Sequence, residues 1–141
     1  MINKNINFYT DRIVHAFLEN KLIAPIPKKY TKKLEAANDF RKICESKVKR
    51  PILGYKAGGT GLPLLRKFRE KEPFYAAVYK HNICKNNSLV KKNKFTLGIE
   101  LEVCYLIKKN FFNLKKKVTK KDLNKLISRI GPCIEVVGYR Q

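Results

Sequence analysis

The chain has 141 residues, of which 44% are hydrophobic, and it carries a formal net charge of +21. This length allows one domain with a hydrophobic core, and the composition excludes an intrinsically disordered chain. No apolar run reaches the roughly 20 residues that a transmembrane helix needs. Residues 1–10 are polar and lack the apolar core of a secretory signal, so the sequence predicts a cytoplasmic protein.

The first half of the chain is predicted to form two helices followed by short extended segments. Helices are expected over residues 7–23 and 31–48, because apolar residues recur there at helical spacing. Prolines follow the first of these segments and are expected to end it. Short strands are expected over residues 52–56 and 73–79, separated by a glycine loop and a helical turn at residues 62–69.

The clearest strand of the sequence lies in the second half. Apolar and polar residues alternate strictly over residues 95–107, which places Glu100 and Glu102 on the same face. The opposite face is expected to be buried, and it holds Ile99, Leu101 and Val103. The sequence therefore predicts a strand with one acidic face and one buried apolar face.

A further helix and a last strand are predicted towards the C-terminal end. Thr119 is expected to cap the helix, with Asp122 at the capping-box position. Gly131 and Pro132 are expected to end it. A final short strand then carries Glu135 between two apolar residues.

The positive charge raises the possibility of a polyanionic partner. However, lysine, asparagine and isoleucine are all abundant, which is typical of an AT-rich coding sequence. Aromatic residues interleave with lysines at residues 111–117, but no RNA-recognition, zinc-finger or helix-turn-helix signature accompanies them. Nucleic-acid binding is thus the less favoured alternative, and we expect the lysines to be spread over the surface.

The four cysteines are dispersed, and no two of them form a Cys-x-x-Cys pair. A zinc site is usually recognised by such paired spacing, and a disulfide framework belongs to secreted proteins. The cysteines are Cys44, Cys84, Cys104 and Cys133. The sequence therefore predicts scattered, buried thiols in a reducing compartment.

Three glutamates are candidate metal ligands. The carboxylates of Glu100 and Glu102 project from one strand face, about 6.5–7 Å apart at the backbone. Glu135 adds a third carboxylate on another apolar strand. Three carboxylates suit Mg²⁺ or Mn²⁺ and leave positions for water and substrate. The alternative is that the glutamates line the solvent face of an edge strand.

Lys56 is the candidate catalytic residue. It lies in the segment Gly-Tyr-Lys-Ala-Gly-Gly-Thr at residues 54–60, where a strand ends in a glycine loop. A lysine beside exposed backbone amides can bind a carboxylate or polarise a carbonyl. The alternative is a surface lysine that precedes an ordinary glycine turn.

In order along the chain, these segments resemble the 2-keto-4-pentenoate hydratase and 4-oxalocrotonate decarboxylase group of the fumarylacetoacetate hydrolase superfamily. The most specific parts are the Gly-Tyr-Lys-x-Gly stretch, the Glu-x-Glu strand and the late glutamate. The resemblance implies that Glu100, Glu102 and Glu135 hold Mg²⁺ or Mn²⁺ and that Lys56 belongs to the active site.

The resemblance also implies a fold and an activity. The fold would be α+β, with an N-terminal helical segment in residues 1–50 and part of a mixed-β hydratase-like core in residues 51–141, truncated relative to the family and forming one domain in all. The activity would be the metal-dependent addition of water to 2-hydroxypenta-2,4-dienoate to give 4-hydroxy-2-oxopentanoate, in the breakdown of aromatic compounds. A 4-oxalocrotonate-type decarboxylase and a non-catalytic truncated remnant are the alternatives. A small 2-oxo or 2-hydroxydienoic acid would be the substrate, the full-length protein would be a homo-oligomer, and no membrane contact is expected.

Two positions depart from the pattern of this family. Phe74 stands where an acidic residue implicated in proton transfer usually follows a proline. Tyr139 stands where a small residue is more usual. The first departure, together with the short chain, favours the non-catalytic alternative.

Overall fold

The structure is a computed structural model, and it describes residues 4–108 and 118–138. The chain divides into two compact units, the first reaching Lys91 and the second beginning at Lys92. Helices and two small antiparallel sheets make up the described residues, so the α+β class expected from the sequence is confirmed. The division after residue 50 and the hydratase-like core stay predictions.

Two helices open the first unit, α1 (Lys4–Leu18) and α2 (Leu34–Val48), and a 3-10 turn (Lys28–Tyr30) lies between them. Helix α1 ends at Leu18, earlier than the end expected at residue 23. The reason is local, because Asn20 adopts a left-handed conformation at φ 52°. The Lys21 N–H then donates to the Ala16 carbonyl at 2.8 Å, which closes the last turn.

A small hydrophobic core joins the helices to the first sheet. Its buried members are Val14, Val48 and Tyr79. Phe17, Cys44 and Ala77 pack against these side chains. Both helices and the last residue of strand β2 (Phe74–Tyr79) thus contribute to one core.

A polar contact also ties α1 to α2. The Lys47 ammonium donates to Thr10 Oγ1 at 2.8 Å, to Asp11 Oδ1 at 2.7 Å and to the Asn7 side-chain oxygen at 3.1 Å. Thr10 is completely buried, and its hydroxyl is satisfied within the protein because it accepts from Lys47 and donates to the Asn7 carbonyl. One lysine of this highly basic chain therefore has a structural role between helices.

Strands β1 (Ile52–Gly58) and β2 form an antiparallel pair, and helix α3 (Leu62–Phe68) connects them. Helix α2 is fastened to this pair by Glu45, which accepts the Ala77 N–H at 3.0 Å and pairs with Arg41 at 2.6 Å. The Arg41 guanidinium lies 4.1 Å from the ring centre of Tyr75. Burial acts to lower the pKa of Arg41, but the hydrogen bond and charge of Glu45 outweigh it and raise that pKa.

The second unit contains strand β3 (Thr96–Ile107), helix α4 (Lys120–Leu126) and strand β4 (Ile127–Gly138). The strand expected at residues 95–107 is confirmed, and so is the capping box. The Thr119 N–H donates to Asp122 Oδ2 at 2.9 Å, and the Asp122 N–H donates to the Thr119 hydroxyl at 3.4 Å. These bonds satisfy backbone donors at the start of α4.

The end of α4 was predicted wrongly. The helix stops at Leu126, and Gly131 and Pro132 lie inside β4. Residues 127–138 are held in extended form because they pair with β3 along its length. Pro132 is tolerated there because each strand of a two-stranded sheet is an edge strand, where a missing N–H need not break the ladder.

The expected burial of one face of β3 is also wrong. Ile99, Leu101 and Val103 share a face as the alternation predicted, but they are 67%, 83% and 59% exposed. The buried hydrophobic side chains in the described part of this unit are Phe95 and Leu126. A two-stranded hairpin can thus satisfy the alternation without providing the second layer that would cover its apolar face.

In the part of the chain that the structure describes, no helix has both the length and the apolar character to cross a bilayer.

Candidate metal centre

The pairing of β3 with β4 brings the three predicted metal ligands to one place. Glu100 lies directly opposite Glu135, and Glu102 lies directly opposite Cys133. Opposed residues of an antiparallel pair project from the same face, as do residues two apart on one strand. The three glutamates therefore share the face of the hairpin opposite to Leu101.

The carboxylates converge closely. One oxygen from each of Glu100, Glu102 and Glu135 lies within 4.8 Å of the other two. Glu135 is half-buried, whereas Glu100 and Glu102 are exposed. The cluster is therefore anchored on β4 and open to solvent on the side of β3.

The spacing of these oxygens suits a hard divalent cation. Bonds of about 2.0–2.2 Å in an octahedral Mg²⁺ site separate neighbouring ligand oxygens by about 3 Å and opposite ones by about 4.2 Å. Oxygens within 4.8 Å reach that range with small rotations of the two exposed side chains. Two carboxylates at such a distance repel by about 1 kcal/mol even in a water-like dielectric. A cation between them would turn this repulsion into attraction.

The same face continues beyond the glutamates to two cysteines. Cys133 lies opposite Glu102, and Cys104 lies opposite Gly131, one diagonal step along the ladder. Both thiols are exposed, so the expected burial of the cysteines is wrong for this pair. The pKa of Cys133 is raised, first by local desolvation and then by the Cys104 thiol and the negative charges of Glu102 and Glu135.

Lys56 lies on strand β1 of the first unit. It stands opposite Ala76 in the β1–β2 pair, and it is exposed. The glutamates belong to the second unit. That Lys56 belongs to one active site with the three carboxylates stays a prediction.

The glycine loop after Lys56 is covered by Phe74. This residue pairs with Gly58, and its ring lies against Gly58 and Gly59. Gly59 has a φ of +70°, and a Cβ placed on it would lie 2.8 Å from the edge of the Phe74 ring. An aromatic ring therefore lies against this loop, and it belongs to the sequence position where the family that the chain resembles usually has an acidic residue.

Several predicted features lie outside the described residues. They are the aromatic and basic residues Phe111, Phe112, Lys115, Lys116 and Lys117, together with Tyr139 and Arg140. The expected spread of the lysines over the surface therefore stays a prediction.

Comparison of the chain with protein-family models, with curated proteins and with solved structures gives no match. The resemblance to the hydratase group thus rests on the motifs of the sequence alone.

Proposed function

We propose that this chain is a metal-dependent hydratase that adds water to 2-hydroxypenta-2,4-dienoate and yields 4-hydroxy-2-oxopentanoate. Mg²⁺ or Mn²⁺ would be held by Glu100, Glu102 and Glu135. One observation supports this proposal above the others. The motifs predict three carboxylates as ligands, and these lie on two strands that are distant in sequence. One oxygen from each nevertheless lies within 4.8 Å of the other two.

The glutamates divide the work of such a site. Glu135, half-buried on β4, fixes one side of the cluster, while Glu100 and Glu102 approach from β3. Their exposed side leaves room for the substrate's carboxylate and 2-oxygen. When bound, the ion supplies positive charge that stabilises an enolate oxygen. Lys56 is proposed to bind the substrate's negative charge or to donate and accept a proton at its amine.

The same ligand set would serve a 4-oxalocrotonate-type decarboxylase, which is an alternative within this proposal. The substrate class is a small 2-oxo or 2-hydroxydienoic acid in either case. A homo-oligomeric assembly and a cytoplasmic location complete the proposal. Nucleic-acid binding is kept as the less favoured alternative.

A non-catalytic remnant is the second candidate, and Phe74 favours it. Proton transfer needs an ionisable group near the substrate. At the position where the related enzymes usually carry an acid, this chain has a phenyl ring packed on Gly58 and Gly59. A chain that retained the metal ligands and lost the acid would bind Mn²⁺ without hydrating the dienoate.

The test combines metal binding with turnover. Mn²⁺ is titrated into the wild-type protein, Glu102→Gln and Glu19→Gln, with free Mn²⁺ followed by electron paramagnetic resonance. Glu19 is the matched control, because it is an exposed glutamate of the first unit. We expect at least a tenfold loss of affinity in Glu102→Gln and no change in Glu19→Gln. Equal affinity in all three proteins would refute the metal site.

Turnover separates the two candidates. Loss of the dienoate absorbance is measured with and without Mn²⁺. Hydration that requires Mn²⁺ and falls in Glu102→Gln supports the enzyme. Tight Mn²⁺ binding without hydration or decarboxylation identifies the remnant.

A further inference from the structure

The candidate metal face holds a second group of ligand atoms, which the hydratase proposal does not use. Cys104 and Cys133 lie on it side by side, one on each strand. Both are exposed, and neither is in a disulfide. Two thiols at diagonal positions of one exposed face can both reach one external ion.

The arrangement of the two cysteines fits a metal better than a disulfide. They are diagonal partners in the ladder, because Cys104 pairs with Gly131 and not with Cys133. Diagonal Cα atoms are about 7–8 Å apart, whereas a disulfide usually spans about 4.4–6.8 Å. A tetrahedral ion with bonds of about 2.3 Å holds two sulfurs about 3.8 Å apart, and diagonal positions allow this separation because their Cβ atoms are closer than their Cα atoms.

A third ligand stands beside them. Glu102 is directly opposite Cys133 and two residues before Cys104 on the same strand. Side chains so opposed have Cβ atoms about 4.5–5.5 Å apart. The Glu102 side chain is exposed, so its carboxylate can turn from the other glutamates towards the sulfurs.

We propose that Cys104, Cys133 and Glu102 form a site for a thiophilic divalent cation of the Zn²⁺ class, with a fourth position open to water. Thiolates select Zn²⁺ over Mg²⁺ because they are soft ligands. The site differs from the hydratase centre in its ion and in two of its three ligands. It shares Glu102 with that centre, so Zn²⁺ and Mn²⁺ compete for this carboxylate.

Co²⁺ is the probe, since it binds zinc sites and reports thiolate ligands by a charge-transfer band in the near ultraviolet. It is titrated into the full reduced chain. We expect the band to saturate at one Co²⁺ per chain, to disappear when Zn²⁺ is added, and to be lost in Cys104→Ser and Cys133→Ser. Cys84→Ser is the matched control, because Cys84 is an exposed cysteine of the first unit, and it should keep the band. Glu102→Gln should weaken Co²⁺ binding at least tenfold.

A measurement on the wild-type protein guards against variants that fail to fold. Saturating Zn²⁺ should slow iodoacetamide labelling of Cys104 and Cys133 at least tenfold and leave Cys84 unchanged. Absence of the band in wild type, its persistence in Cys104→Ser, or equal labelling of all three cysteines with and without Zn²⁺ would overturn the proposal. Ready formation of a Cys104–Cys133 disulfide without a cobalt band would show a redox pair and would overturn it too. Mn²⁺ binding retained in Cys104→Ser would show that the hydratase centre is independent of this outcome.

Discussion

The two hairpins of this protein are built alike and supported differently. The β1–β2 pair of the first unit is fastened to α2 by Glu45 and shares a core with both helices through Tyr79. The β3–β4 pair is longer, yet its apolar face is exposed at Ile99 and Leu101. A two-stranded hairpin is marginally stable by itself in water. The second unit is therefore the one in which bound ligands should contribute most to stability.

The two units also position their side chains in different ways. In the first unit, contacts between helix and sheet position the side chains. In the second, the strand register alone places three carboxylates and two thiols on one face. A register slip of one residue would send Glu135 to the apolar face and disperse the cluster. In β3–β4, the register that holds the hairpin together therefore also determines whether the candidate ligands converge.

The largest expected effect is stabilisation of the second unit by Mn²⁺. A ligand that binds only the folded state, present at 100 times its dissociation constant, adds about 2.7 kcal/mol. We expect the free energy of opening to rise by this amount at the amides of β3 and β4, and to change little at those of β1 and β2. Hydrogen exchange with and without Mn²⁺ measures both. Equal protection of the two hairpins would contradict the contrast between them.

Glu45→Gln should have the next largest effect, and it should act on the first unit. Arg41 and Glu45 are 16% and 15% exposed, so the substitution leaves a largely buried guanidinium without its counterion. Breaking such a pair from one side costs about 2–3 kcal/mol after allowance for partial exposure. Glu35→Gln, at an exposed position of the same helix, should cost a few tenths. Chemical denaturation of the three proteins provides the comparison.

Gly59→Ala should destabilise the first unit by about 1–2 kcal/mol. The positive φ of Gly59 strains any other residue, and the new methyl group would meet the Phe74 ring. Gly54→Ala is the control, since a Cβ there meets no atom within 4 Å. If both variants unfold at the same denaturant concentration, the close packing of Phe74 on the loop is refuted.

Thr119→Ala should cost the second unit about 1 kcal/mol, because it removes the acceptor at the start of α4. Lys120→Ala, at the next exposed position, should be neutral within about 0.5 kcal/mol. Hydrogen exchange of the α4 amides separates the two. Unchanged exchange in Thr119→Ala would show that the capping box does not stabilise α4.

The smallest effect expected is a loss of first-unit stability at high pH. Burial raises the pKa of the Cys44 thiol from 9.0 to about 11, with a further contribution from Glu45 and an opposing one from Lys47. The folded state therefore keeps the proton that the unfolded state loses. Its advantage is fully present below pH 9 and disappears as the pH rises to about 11. We expect the unfolding free energy to fall by less than about 1 kcal/mol at pH 10, because part of the side chain faces solvent. The unfolding free energy of Cys44→Ala should fall less steeply over this range than that of wild type.

The sequence by itself determined the features that depend on neighbours along the chain. Periodicity located α2 and β3, and the Thr119–Asp122 capping box placed the start of α4, because caps and side-chain alternation are local properties. Short motifs indicate the glutamates as candidate ligands. Glu100 and Glu102 had to share a face because a strand repeats every two residues.

Tertiary structure decided what depends on pairing between distant segments. The conversion of residues 127–132 from an expected helix end to strand follows from their pairing with β3. The same register sets Glu135 opposite Glu100 and brings Cys133 to Cys104, although the spacing of the cysteines had indicated scattered thiols. Tertiary structure also decided that the apolar face of β3 is exposed. Alternation shows which residues share a face, but only a second packed layer determines whether that face is buried.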